Sequence, residues 1–67
     1  MWYKAEFELP EESCELNLRV GGVDCYYGKY VREDVDGYGE AFYFDAPNGW
    51  GWLWSENFHL IEWEGEN

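Results

Sequence analysis

The stretch Ala41-Phe42-Tyr43-Phe44-Asp45-Ala46-Pro47-Asn48-Gly49-Trp50-Gly51-Trp52-Leu53-Trp54 decides the fold, because apolar residues alternate on both sides of an Asn-Gly pair. Period-two alternation marks a strand with one covered face, and Asn-Gly between two such runs is a strong short-range hairpin signal. With Asn48-Gly49 as a two-residue loop, Phe44 opposes Leu53 and Phe42 opposes Ser55 on one side. On the other side Asp45 opposes Trp52 and Tyr43 opposes Trp54. Opposed residues share a face. Phe42, Phe44 and Leu53 therefore form a core side, and Tyr43, Asp45, Trp50, Trp52 and Trp54 form an aromatic row with a carboxylate in it, directed away from that core. A large apolar patch outside the core marks a contact surface. The competing expectation is a strongly bent barrel that wraps Trp2, Trp63 or the N-terminal strand over part of the row.

The same period runs through the rest of the chain, with Gly and Asn/Asp-Gly punctuation at intervals typical of a small all-β sandwich or barrel. Strands are expected at Trp2 to Leu9, Cys14 to Val20, Val23 to Arg32, Ala41 to Asp45, Trp50 to Trp54 and His59 to Trp63. A Gly21-Gly22 loop sets Val20 opposite Val23, Leu18 opposite Cys25 and Leu16 opposite Tyr27. Cys14, Leu16, Leu18, Val20, Val23, Cys25, Tyr27 and Val31 then share an apolar face. Glu15, Asn17, Arg19, Asp24, Tyr26, Tyr30 and Arg32 take the solvent side. This register separates Cys14 from Cys25 by roughly 13 Å at ~3.3 Å per residue, beyond the ~7 Å Cα reach of a disulfide. Two free thiols suit a reducing compartment.

The chain holds 67 residues, fifteen acids against four bases, a net charge of −11 and fifteen aromatics. Acidity with few aromatics would mean disorder, but this aromatic content supplies a core. The length suits one domain over residues 1–67, with a radius of gyration of roughly 11 Å and a thin stability margin. Nucleic acid and anionic membrane are excluded as direct partners, because both are bound by Lys and Arg in excess. No apolar run approaches the ~20 residues of a spanning helix, and the first residues do not read as a signal peptide. The expected location is the cytoplasm.

Signals for chemistry are sparse. His59 is the single histidine, Ser13 and Ser55 are the only serines, and threonine is absent, so a nucleophile-base pair would have to be built from Ser55 and His59 on a turn. Asp34-Val35-Asp36-Gly37 has part of a calcium-loop pattern but lacks its further ligands, and two cysteines with one histidine do not have zinc spacing. The expectation is a protein that is not an enzyme and holds no cofactor or metal.

The run Gly51-Trp52-Leu53-Trp54-Ser55-Glu56-Asn57-Phe58, followed by His59-Leu60-Ile61, resembles the end of an SH3 domain. There a glycine, an aromatic, an aliphatic, a proline, a serine and an asparagine precede a ligand-contacting tyrosine on a 3₁₀ turn. The resemblance places Leu53 on the buried aliphatic, Trp54 on the groove proline and Phe58 on the groove tyrosine, with Glu56 as an extra residue. It covers about a dozen of the 67 residues, and the N-terminal motif and paired tryptophans of the family are missing. The implied fold is all-β, an SH3-like small barrel of five to six antiparallel strands with a short 3₁₀ turn near residues 55–58. The implied activity is binding of proline-rich or basic peptides in a groove of Tyr26, Tyr30, Trp54 and Phe58.

The charge is unevenly placed. Residues 1–32 carry six acids and all four bases, whereas residues 33–67 carry nine acids and no base. Self-repulsion opposes compactness, while a surface that docks on Lys- and Arg-rich protein gains association rate and selectivity from such asymmetry. Aromatic rings among carboxylates suit the same partner by cation–π contact. The composition is similar to that of phage-encoded acidic DNA-mimic inhibitors. The first expectation is thus an inhibitor or adaptor that docks on a basic protein surface, such as the groove of a nucleic-acid-binding enzyme, in the host cytosol if phage-encoded. Its contact residues are Glu33, Asp34, Asp36, Glu40, Tyr43, Asp45, Trp50, Trp52, Trp54 and Phe58. A third expectation is a homodimer or assembly interface through the Trp row.

Overall fold

Gly21-Gly22 closes the first hairpin, both residues at positive φ, 58° and 84°, where glycine carries no Cβ penalty. The computed structural model describes residues 1–11, 15–33 and 37–64. The hairpin joins β2 (Glu15–Val20) to β3 (Val23–Asp24), with Val20 opposite Val23 and Arg19 opposite Asp24. The Cys25 N–H donates to the Leu18 carbonyl at 2.9 Å, so the expected register holds through Cys25.

One residue later it slips. β4 (Tyr27–Val31) meets β2 with Leu16 opposite Gly28 and Glu15 opposite Lys29, so Tyr26 and Tyr27 together face the single residue Asn17. Two residues against one is a β-bulge, and the Tyr26 N–H leaves the hairpin for the Asp45 carbonyl at 2.7 Å. A one-residue slip exchanges the faces of everything beyond it. Tyr30, expected on the solvent side, is therefore fully buried, and Tyr27, expected in the core, is exposed.

β4 pairs with β5 (Ala41–Ala46), which pairs with β6 (Gly49–Trp54). The connecting loop is Pro47-Asn48 rather than Asn48-Gly49. Ala46 opposes Gly49, Phe42 opposes Leu53, Tyr43 opposes Trp52 and Asp45 opposes Trp50. Proline has no N–H to give a ladder and its fixed φ suits the second position of a turn, with glycine favoured at the fourth. The register moves by two residues, an even number, so each side chain keeps its expected face.

The 3₁₀ turn Ser55–Leu60 follows, longer than expected and including His59, and leads into β7 (Ile61–Glu64). β1 is only Trp2–Lys4. Beyond it the chain turns, with the Phe7 and Glu8 N–H groups both donating to the Lys4 carbonyl, so the expected strand to Leu9 stops early. The turn brings the Glu8 carbonyl to the indole N–H of Trp63 at 2.8 Å, giving a buried tryptophan the acceptor it needs.

The result is all-β, with seven antiparallel strands among the described residues in the order β1-β7-β2-β4-β5-β6 with β3 on β2. β2 turns the corner, pairing with β7 through Asn17–Val20 and with β4 through Glu15–Leu16. Among the described residues no ladder joins β1 to β6, so the expected barrel is an open, coiled sheet. The radius of gyration is 10.6 Å. Tyr30, Phe42, Leu18 and Ile61 are the fully buried large side chains, with Leu16, Phe58 and Trp63 around them. Among the described residues no helix is long and apolar enough to cross a membrane.

Candidate functional site

β4, β5 and β6 carry the aromatic row on the face away from this core. Alternation gives β6 a Gly49, Gly51, Leu53 side toward the core and a Trp50, Trp52, Trp54 side away from it. The paired residues continue the outer face across the sheet, Trp50 with Asp45 and Tyr27, Trp52 with Tyr43 and Lys29. Tyr43 is the hub: its ring centroid lies 5.2 Å from Trp52, 6.4 Å from Trp50 and 6.0 Å from Tyr27. Tyr38 meets Trp54 edge-on at 5.3 Å, extending the patch past the expected residues.

These contacts grade the row. Trp50 is 71% exposed and Tyr38 72%, while Trp52, Trp54, Tyr43 and Asp45 are half-buried. Neither Trp2 nor Trp63 covers the row. Trp63 stacks on Tyr3 at 4.6 Å, and Trp2 lies under the Arg19 guanidinium at 4.1 Å. That arginine also pairs with Asp24 at 2.8 Å and Glu62 at 3.9 Å, so its charge is spent within the fold.

The acids expected to act together are divided. Glu33 is exposed, and Asp34 and Asp36 lie outside the described residues. Asp45 stands within the row, its neighbours across the strands being Tyr27 and Trp50. Glu40 has a structural task, accepting a hydrogen bond from the buried Tyr30 hydroxyl at 2.5 Å, which fastens the segment before β5 to the core. Phe58, expected at a ligand groove, is buried and packs edge-on against Phe42 at 5.1 Å. With Tyr30 and Phe58 both in the core, the expected groove of Tyr26, Tyr30, Trp54 and Phe58 does not form. Sequence reasoning missed Lys29, Tyr27 and Tyr38; the first two required knowing the β4–β5 pairing.

The Tyr30 phenol is pushed up to about 12, first by burial and then by its hydrogen bond to Glu40 and that carboxylate's charge, against the opposing pull of Arg32. The folded chain thus keeps a proton that the unfolded chain releases near pH 10. Stability from this group is whole below about pH 10 and is lost as pH rises toward about 12. Denaturant midpoints at about pH 9 and about pH 11.5 are expected to differ less for Tyr30→Phe than for the wild type. An equal difference in the two proteins contradicts the assignment.

Cys25 is a free, half-buried thiol, and burial pushes its pKa up, keeping it protonated; Cys14 lies outside the described residues. A recess of about 130 Å³ beside Tyr26 and Tyr27 borders the aromatic face, and another of about 230 Å³ lies by Trp2 and Cys25. Both are below the ~300–1,000 Å³ of typical ligand pockets. Comparison with protein families, with curated proteins and with solved structures finds no match to this chain.

Proposed function

We propose that the chain is a small protein-binding inhibitor or adaptor that docks its aromatic face on a basic surface of a larger protein, in the cytoplasm. The observation that carries this reading is the outward row of Trp50, Trp52 and Tyr43 around Asp45, on a molecule of net charge −11. Exposed tryptophan and tyrosine are the side chains that dominate protein interfaces. Asp45 within the row and the net charge of −11 orient a Lys- or Arg-rich partner and raise its rate of approach. Nucleic-acid-handling proteins supply such surfaces, and occlusion of the basic groove is the mode of action. The SH3-type alternative loses its main support with Tyr30 and Phe58 in the core.

The test is affinity capture from a host lysate with the wild type and with Trp52→Ala. A basic protein retained by the first and lost by the second is the expected result. Equal capture by both overturns the reading.

A further inference from the structure

β6 ends the sheet. Among the described residues it pairs with β5 alone, and the main chain of Gly49 to Leu53 makes no hydrogen bond outside that ladder. The strand Gly-Trp-Gly-Trp-Leu-Trp is six residues long and has no proline, lysine or other charge within it, the devices that usually blunt an edge. The opposite edge, β1, has three residues.

The hydrogen-bonding phase of the hairpin determines what this edge presents. The Pro47-Asn48 turn brings the Gly49 N–H to the Ala46 carbonyl, so Ala46/Gly49 and Phe44/Gly51 are the hydrogen-bonded pairs, while Asp45/Trp50 and Tyr43/Trp52 are the non-bonded ones. Side chains approach most closely at non-bonded pairs, in keeping with the 5.2 Å between Tyr43 and Trp52. The main-chain N–H and C=O of Trp50 and Trp52 therefore point toward the open edge. An incoming strand bonded there sets alternate side chains beside the two indoles. The intervening ones fall on the core side, where a side chain at Gly49 would meet nothing within 4 Å and where Phe44 and Leu53 are half-buried.

Charge selects the occupant. β6 and its partner strand β5 carry Asp45 and no base, Lys29 standing one strand farther from the edge on β4, and a second copy of a chain at net charge −11 is repelled. We propose that β6 accepts an extended peptide segment of the partner in which Arg or Lys alternates with apolar residues, added as a further strand with its basic side chains over Trp50 and Trp52. This rests on the docking function above and specifies its partner: main-chain bonds give affinity and the alternate side chains give selectivity, with cation–π contact on the rings.

The test uses the full chain and a synthetic Arg-Val repeat peptide in three forms: unmodified, N-methylated at every Arg, and N-methylated at every Val. Binding is followed by tryptophan fluorescence. Strand addition uses one alternate set of peptide amides, so one methylated form is expected to bind like the parent and the other to lose binding by tenfold or more. Trp50→Ala, at a freely exposed position, is expected to weaken the parent peptide about tenfold with an unchanged melting curve. Both methylated forms binding equally, both failing, or no binding of the parent peptide overturns the proposal. So does a dimer of the free chain in sedimentation at micromolar concentration that Trp50→Ala dissolves. The docking function is decided separately, by the captured protein and Trp52→Ala.

Discussion

Gly28→Ala is expected to cost about 2–3 kcal/mol, toward the upper end of the overpacking range. The glycine sits on the core side of β4, opposite Leu16 and Phe44. A Cβ built there would lie 2.2 Å from Leu18 Cγ, 2.5 Å from Leu18 Cδ1 and 3.0 Å from the Leu16 carbonyl oxygen. Leu18 is 1% exposed and the closest clash is with its Cγ, the branch point and not the far end of the side chain, and the carbonyl belongs to the strand that turns the corner between the two parts of the sheet. At about 0.05–0.15 kcal/mol per residue a chain this short holds only about 3–10 kcal/mol in total. The substitution therefore removes a large share, and a fall in melting temperature of about 10–20 °C follows. Gly51→Ala is the control, because its Cβ would stand 3.8 Å from the Phe44 ring, an ordinary contact. Equal melting temperatures for the two variants contradict the close approach of β2 and β4.

Trp52→Ala is expected to cost the complex with the captured partner about 2 kcal/mol or more, roughly a thirtyfold loss of affinity. Trp52 lies at the middle of the row, in edge contact with Tyr43, and its half-burial limits the rotamer freedom that binding must remove. Trp2→Ala deletes the same side-chain type from the β1–β7 end, where its partner is Arg19, and is expected to leave affinity unchanged. Calorimetry on the two variants separates a local effect of the row from a general effect of losing a tryptophan. Equal losses of affinity contradict the assignment of the face.

The strand pattern and both hairpins are legible in the sequence because alternation and turn residues are local properties. The outer row is legible too, although for an instructive reason: Pro47 moves the β5–β6 loop, and the shift happens to be even, so Tyr43, Asp45, Trp50, Trp52 and Trp54 keep their face. The bulge at Tyr26 is an odd shift and inverts Tyr27 and Tyr30. Nothing near it in sequence announces it, because the Tyr26 N–H is satisfied by the carbonyl of Asp45, nineteen positions away in the chain. Lys29 shows the same dependence. Counted along the chain it belongs to the nearly balanced half, yet β4–β5 pairing sets it opposite Tyr43, so the row has one base within it. The resemblance of residues 51–61 places Phe58 at a groove, whereas its burial reflects packing against Phe42 that a short motif does not convey.

The central claim, that the aromatic face of this acidic chain docks on a basic surface, is tested most directly by the dissociation constant of the captured complex in about 50 mM and about 500 mM salt, since screening contracts from roughly 14 Å to roughly 4 Å over that range. The account predicts that affinity falls by at least tenfold, mainly through slower association. An affinity that is the same at both concentrations contradicts it.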